Sequence, residues 1–100
     1  MFEVADLPTK KEIQIVVNRL DILDSNELLT GVQKVIEDST KDVDLNLADL
    51  DFIDSAILGV FVRLNEKAKE NGIALTFTKL SPFIKNLFKN SKTDVLFNIK

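Results

Sequence analysis

Apolar and polar positions alternate with the two-residue period of a β-strand in three separate stretches of the chain. These stretches are residues 13–18, 42–47 and 73–78, and residues 2–5 form a weaker fourth candidate. The alternation is strict in the second stretch, which is typical of a strand with one face on a core and the other in water. The pattern therefore predicts a sheet that is covered by helices on one face.

Between these strands, apolar positions recur every three or four residues, as they do on the buried face of a helix. The first helical stretch begins at Asp24, where Glu27 follows at the spacing of a capping box, and it ends near Ser39. The second begins near Ser55 and ends at Gly72, since glycine is favoured just after a helix C-terminus. Two helices therefore alternate with the three strands.

A third helix follows the last strand, because Ser81 and Pro82 are favoured as N-cap and first helical residue. The apolar run 95–97 is too short to assign. Val60 and Val62 lie off the main apolar stripe of the second helix, either as partner contacts or as packing at its edge. The side chains predicted to face the core are Leu28, Leu29, Val32, Val35, Ile36, Phe52, Ile57, Leu58, Phe61, Leu64, Ala68, Phe77, Phe83, Ile84, Leu87 and Phe88.

Alternating strands and helices imply parallel neighbouring strands, which are joined by right-handed crossovers. The predicted fold class is therefore α/β, a two-layer domain with a mixed sheet of four to five strands and helices mainly on one face. No linker or internal repeat divides the chain, so residues 1–100 are expected to form a single domain.

Charge and composition narrow the range of functions. The formal charge is −3 and only Arg19 and Arg63 can make bidentate phosphate contacts, so neither nucleic acid nor a membrane is expected as a partner. The absence of histidine and cysteine removes Ser-His and Cys-His dyads, imidazole ligands and zinc-thiolate sites. We expect no metal and no other cofactor. Residues 1–6 lack the basic start of a signal peptide, and no stretch approaches the roughly 18 apolar residues of a membrane span, so a cytoplasmic protein is expected.

Polar chemistry is concentrated between the second strand and the second helix, where Asp49, Asp51, Asp54 and Ser55 lie within seven positions. Asp54 or Ser55 can serve as the N-cap of the helix, which is the ordinary role of these residue types there. Alternatively, phosphorylation of Ser55 would add about −1.5 to −2 charges at a helix end that tolerates an anion. A partner docked on the unmodified surface would then be lost while the fold survives.

The run 49–60 resembles the signature of the anti-sigma factor antagonist group of STAS domains, in which a strand ends in an aspartate and a serine opens the next helix. Further likenesses follow in the order of the family and cover nearly the whole chain. They are Arg19–Ile22 after the second strand, Asn71–Ile73 between helix and strand, Ser81–Pro82 at the next helix, and Thr93–Ile99 at the end. A STAS-like form of the two-layer α/β fold is therefore expected.

The resemblance implies a small bacterial regulator of transcription that works by partner switching. Unphosphorylated, such a protein binds a kinase-type anti-sigma factor and so frees a sigma factor, and phosphorylation of its serine by that kinase ends the binding. A PP2C-type phosphatase is the further partner that the resemblance implies. Ser55 matches the phosphoacceptor, Asp54 its acidic neighbour, and Asp21 an acidic residue that the fold places near the same site.

This sequence departs from the family pattern directly after the serine. A small residue and a glycine usually follow, whereas Ala56 and Ile57 stand here. Ile57 is β-branched and adds an apolar side chain beside the serine. We therefore expect Ala56, Ile57 and Val60 to belong to the switch region and to influence the choice of partner.

Three other functions are alternatives. In the first, the chain is a STAS scaffold subunit of a larger signalling or transport assembly, and Ser55 is never modified. In the second, the chain is a response-regulator receiver that accepts phosphate on Asp54. A receiver needs an early acidic pair for Mg²⁺ and strands buried on both faces, whereas this chain lacks the early pair and residues 42–47 predict a strand with one face in water. A serine hydrolase would need a base for Ser55, and the chain has neither a Gly-x-Ser-x-Gly elbow nor a lysine three residues later. The chain is therefore expected not to be an enzyme.

Overall fold

Five strands form one mixed sheet in the computed structural model, which describes residues 1–100. The elements in chain order are β1 (Phe2–Asp6), β2 (Lys10–Ile15), β3 (Arg19–Leu20), a first 3-10 helix (Ile22–Asp24), α1 (Ser25–Asp38), β4 (Asp42–Asn46), β5 (Phe52–Ile53), α2 (Ser55–Glu70), β6 (Leu75–Thr78), α3 (Pro82–Asn90), a second 3-10 helix (Thr93–Val95) and β7 (Asn98–Ile99). The sheet order is β1-β2-β4-β6-β7, and only β1 runs antiparallel to its neighbour. The predicted α/β class with a mixed sheet is confirmed.

The two faces of the sheet differ in burial as the alternation predicts. Val43 and Leu45 of β4 are fully buried, whereas Asp44 between them lies on the opposite face and pairs with Lys10 of β2. The neighbouring strand β6 repeats the pattern, with its first and third residues buried and the others half-buried. The helices therefore cover mainly one face of the sheet, as expected.

The core lies between this face and the helices, and its 21 buried apolar side chains form one cluster. Phe61 of α2 packs against Phe77 of β6 and Phe88 of α3, with ring centroids 5.3 and 6.2 Å apart. Val60 also belongs to this cluster, so its predicted position off the buried stripe is wrong. The reason is that α1 packs along the side of α2 and buries a wider arc of it.

The strand predicted for residues 13–18 is shifted toward the N-terminus, because the chain leaves the main sheet after Ile15. The carbonyl of Asn18 accepts hydrogen bonds from the amides of Asp51 and Phe52, at 2.8 and 3.2 Å. These bonds lead the chain into β3, which pairs with β5 in a separate two-stranded parallel sheet. The weaker candidate strand at residues 2–5 is confirmed as β1.

The start of α1 differs from the prediction. Asp24 makes no side-chain cap for α1, so the expected capping box with Glu27 does not form. The first 3-10 helix intervenes, and Asp24 instead forms the capping box of that helix together with Asp21, its N-cap. The other predicted ends hold, since Ser81 caps α3 and Gly72 has the left-handed φ of +72° that ends α2. None of the helices is long and apolar enough to cross a membrane.

Two phenylalanines predicted for the core lie at its margin or outside it. Phe83 is 46% exposed and Phe52 is half-buried, and their ring centroids are 5.4 Å apart. The guanidinium of Arg19 stands over the Phe52 ring at 4.9 Å. Both rings miss the core because α3 begins beside the short strand β5 rather than over the main sheet.

Candidate functional site

Ser55 lies at the exposed start of α2, directly beyond the short parallel strand pair. In that pair Leu20 is opposite Ile53. The residues that follow two parallel strands leave at the same end, so Asp21 and Asp54 come together beside Ser55. The structure thus places at one site the three residues that the resemblance singles out.

Asp54 accepts two backbone hydrogen bonds, one with each carboxylate oxygen. Its Oδ1 accepts from the amide of Ile57 at 3.1 Å, which makes Asp54 the N-cap of α2. Its Oδ2 accepts from the amide of Ile22 at 2.9 Å, in the first 3-10 helix. The first amides of a helix have no carbonyl partner within it, so both bonds satisfy groups that would otherwise need water. One carboxylate therefore joins the starts of two helices.

The first 3-10 helix is also held by its own aspartates. The Oδ1 of Asp21 accepts from the amide of Leu23 at 3.0 Å, and the amide of Asp21 donates to Oδ2 of Asp24 at 3.0 Å. The guanidinium of Arg19 lies 4.0 Å from the other carboxylate oxygen of Asp21. Together with Asp54, three carboxylates thus fix the geometry of a single turn.

An Asp-Ser pair begins both α1 and α2, but the two serines differ. The hydroxyl of Ser25 donates to the carbonyl of Ile22 at 2.7 Å, so it is part of the local structure. At the second pair Asp54 supplies the cap, and Ser55 is exposed as the first residue of the helix. Of the two matched hydroxyls, that of Ser55 is the one left to solvent.

A shallow groove of about 340 Å³ runs between the first turns of α1 and α2, close to Ser55. Four of its eight lining residues are apolar, and Arg63 is the only charged residue among them. The residues that line it are Ile22, Ser25, Asn26, Leu29, Ala56, Gly59, Val60 and Arg63.

The residues expected to follow Ser55 in the switch region are unequally accessible. Ala56 is half-buried and lines the groove. Ile57 is fully buried and Val60 is 6% exposed, because their side of α2 faces the core. The expectation that Ile57 adds an apolar side chain to the surface beside Ser55 is therefore wrong. Val60 contributes to the groove only as a buried lining residue.

The exposed apolar pair Ile22 and Leu23 belongs to the same surface and is absent from the sequence-based expectations. Leu23 is 89% exposed and Ile22 is 65% exposed, although both are large aliphatic residues. The sequence does carry a signal, since two adjacent aliphatic residues stand between Asp21 and Asp24 in a segment too short for a helical stripe, and strand alternation could bury only one of them. We call this pair the Ile22–Leu23 ledge.

The other two acidic residues of the segment lie apart from Asp54. Asp49 accepts a hydrogen bond from the side chain of Gln14 at 3.3 Å, beside the main sheet. Asp51 is exposed, and its amide binds the carbonyl of Asn18. No three carboxylates of the chain are close enough to hold one metal ion. Asp49, Asp51 and Asp54 therefore make separate contacts and do not form one acidic site.

Comparison with known families agrees with this architecture. The family model of the STAS domain matches residues 9–100. The chain belongs to the STAS domain family. This match covers nearly all of the described elements, including the strand pair, Asp54 and Ser55.

Several solved structures resemble this STAS domain in fold. An anti-sigma-factor antagonist (STAS) domain protein from Planctomyces limnophilus has a TM-score of 0.87 at 16% identity, over 98% of this chain and 87% of that one. An anti-sigma factor antagonist from Mycobacterium paratuberculosis has a TM-score of 0.86 at 16% identity, over 99% and 83%. The Bacillus cell fate determinant SpoIIAA in its phosphorylated form has a TM-score of 0.73 at 15% identity, over 100% and 91%. At these identities the likeness establishes the fold.

Proposed function

We propose that this STAS domain is an anti-sigma factor antagonist whose binding is switched by phosphorylation at Ser55. Unmodified, it binds an anti-sigma factor that is also a serine kinase, and a sigma factor is set free. Transfer of the γ-phosphoryl group of ATP to the Ser55 hydroxyl, which releases ADP and a proton, ends the binding, and a PP2C-type phosphatase restores the hydroxyl by hydrolysis to inorganic phosphate. The chain acts as a cytoplasmic binding protein and phosphate acceptor, and the chemistry belongs to its partners.

The main support for this proposal is that Asp54 caps the helix while Ser55, next to it, is exposed. Asp54 caps α2 through Ile57, so the serine hydroxyl is not needed for the helix. Ser55 is exposed at a helix start, where a kinase can reach it and where backbone amides favour an added anion. A modification at this position therefore changes the surface without removing a structural contact.

The loss of binding follows from the geometry that any kinase must adopt. Phosphoryl transfer requires the γ-phosphate of ATP and a group that accepts the hydroxyl proton to lie against Ser55. After transfer, a group with about −1.5 to −2 charges occupies that position and faces the nucleotide phosphates. Bringing like charges together at an interface costs binding free energy on the order of several kcal/mol. The product complex is therefore less stable than the substrate complex.

A fold that tolerates the modification is the other requirement. The Bacillus protein SpoIIAA, which shares this fold, has been solved in both its unphosphorylated and its phosphorylated form. Its two structures superpose on this chain with the same TM-score of 0.73. This supports a switch that acts at the surface rather than through unfolding.

The departure from the family pattern after the serine affects the surface at one position only. Ile57 is fully buried, so the isoleucine is accommodated within the core. Ala56 remains half-buried in the groove beside Ser55, where a partner would contact its methyl group. Differences in partner choice are therefore expected to depend on Ala56.

Phosphorylation is tested with the purified anti-sigma factor kinases that the source genome encodes, one at a time, in the presence of ATP. Intact-mass spectrometry should show a gain of about 80 Da, the mass of one phosphoryl group, on the parent protein. Ser55→Ala should abolish the gain. Thr40→Ala is the matched control, since it removes an exposed hydroxyl that lies outside the groove, and it should be phosphorylated like the parent.

A gain that persists in Ser55→Ala would place the modification elsewhere and contradict the proposal. If none of the kinases modifies the parent protein, the domain is instead a scaffold subunit of a larger signalling or transport assembly. A stable complex with subunits of such an assembly, formed without ATP and unaffected by Ser55→Ala, would support that second function.

A further inference from the structure

The Ile22–Leu23 ledge lies beside Ser55 but takes no part in the proposed phosphorylation. We infer that Leu23 is the anchor by which this domain binds its protein partner. The partner's complementary surface is an apolar pocket with lysine or arginine side chains at its rim. This inference rests on the proposed function, because the partner meant here is the anti-sigma factor kinase.

Exposure is the first observation. Leu23 is the most exposed large apolar side chain of the chain, at 89%, and its neighbour Ile22 is 65% exposed. Burying a leucine side chain is favourable in proportion to the apolar area that is removed from water, and the fold gains almost none of this from Leu23. A partner pocket that enclosed Leu23 would therefore gain nearly the whole amount.

Rigidity is the second observation, and it separates this turn from a comparable one. The backbone amides at 21–23 are bound by Asp24, Asp54 and Asp21 in turn, at 2.9–3.0 Å. The second 3-10 helix, Thr93–Val95, also carries an exposed apolar residue, but no side chain caps it. An anchor that is held in place before binding loses less conformational entropy in the complex. The ledge has this property and the other turn does not.

The charges around the ledge indicate which kind of partner pocket would bind it. The three carboxylates that cap the turn lie around the ledge, and the one cation that pairs with them is Arg19, 4.0 Å from Asp21. An apolar anchor surrounded by carboxylates is complementary to an apolar pocket surrounded by cations. A pocket with an acidic rim would instead bring like charges together. The apolar groove of a second copy is lined by Ile22 and so lies beside the same carboxylates, which favours a different protein with a basic rim over a second copy of this chain.

The ledge and the switch are mechanically connected through one residue. Asp54 precedes Ser55 and also binds the amide of Ile22, so the modified serine lies next to the carboxylate that positions the ledge. A partner seated on Leu23 therefore has its nucleotide site within reach of Ser55. The two features contact different groups of the partner. The carboxylates around the ledge contact its cations, and Ser55 contacts the phosphates of its bound ATP.

The test uses the kinase that phosphorylates Ser55 and measures its dissociation constant for each variant by titration calorimetry. Leu23→Ala should raise Kd by at least about tenfold, as expected for a buried anchor. Val95→Ala is the matched control, because Val95 is 80% exposed on the other 3-10 helix, and it should leave Kd within about twofold. Leu23→Met should retain most of the affinity, since methionine has a similar volume.

The basic rim is tested in the same titrations at two salt concentrations. The Kd of the parent should rise between about 0.05 and 0.3 M salt, because charge pairs at the rim are screened. The circular dichroism spectrum and Tm of Leu23→Ala should match those of the parent, since this side chain is exposed in the folded protein.

Each outcome bears on a different claim. If Leu23→Ala and Val95→Ala bind as tightly as the parent, the anchor is wrong and the proposed function stands. A Kd that does not change with salt overturns the basic rim. If the parent binds no anti-sigma factor kinase, the proposed function fails and this inference fails with it.

Discussion

At the scale of the residue, Asp54 does more than its place beside the serine suggests. Its two oxygens bind amides that are 35 positions apart along the chain, those of Ile22 and Ile57. Capping one helix is the ordinary role of an aspartate at this position. The second bond is a tertiary contact, and through it the site depends on the pairing of β3 with β5.

Replacing Asp54 by alanine should therefore lower the free energy of unfolding by about 1–2 kcal/mol, since an N-cap loss alone costs about 1 kcal/mol and a second amide loses its acceptor. Urea unfolding followed by circular dichroism measures this difference. Asp51→Ala removes an exposed aspartate three positions earlier and should change stability by less than about 0.5 kcal/mol. Equal effects of the two substitutions would show that the double cap contributes nothing.

Local patterns could indicate that Asp54 or Ser55 caps α2, but not which of them does. Both residue types favour the N-cap, so propensity alone leaves the choice open. The choice depends on the strand pair, whose members are more than 30 positions apart and are only two residues long. The same strand pair brings the Ile22–Leu23 ledge next to Ser55, and this placement cannot be predicted from local patterns, although the two adjacent aliphatic residues do indicate that one of them is exposed.

At the scale of the element, periodicity is reliable where an element is long enough to repeat. The helices α1 and α2 and the strand β4 extend over several periods, and the pattern predicts their type and approximate ends. The strands β3 and β5 and both 3-10 helices are two or three residues long, so they contain no period. Phe83 was misplaced for a related reason, because helical spacing gives the buried face of α3 but not where the sheet beneath it ends.

A close contact between β1 and α1 gives a prediction at this scale. A Cβ atom at Gly31 would lie 2.8 and 2.9 Å from the Cε2 and Cζ atoms of Phe2, so the ring occupies the space of a side chain. Alanine is otherwise favoured over glycine within a helix by about 0.5–1 kcal/mol. Gly31→Ala should therefore stabilise the Phe2→Ala variant by about that amount and stabilise the parent less, or destabilise it.

The four proteins of this double-mutant cycle are compared by urea unfolding. A coupling energy clearly above the additivity error of about 0.3–0.5 kcal/mol is expected, because the two residues are in contact. Additive effects within that error would show that the Phe2 ring moves away from Gly31 at no cost.

At the scale of the whole molecule, charge is unevenly distributed along the chain. Residues 79–100 carry five lysines and one carboxylate, Asp94, whereas every other acidic residue precedes them. The candidate site at Asp21, Asp54 and Ser55 belongs to the acidic part. The carboxylates of Asp21 and Asp54 at this site attract a cationic partner surface and raise the rate of association at low salt. This agrees with a binding surface that meets cations at the ledge.

Phosphorylation at Ser55 is proposed to end binding while the fold survives. The most direct measurement is a comparison of unmodified and Ser55-phosphorylated protein, in which the Kd for the kinase and the Tm are determined on the same samples. We expect Kd to rise at least about a hundredfold, corresponding to about 2.7 kcal/mol, with Tm changed by no more than a few degrees. Equal affinity of the two forms, or a loss of affinity that accompanies unfolding, would contradict a phosphorylation switch at Ser55.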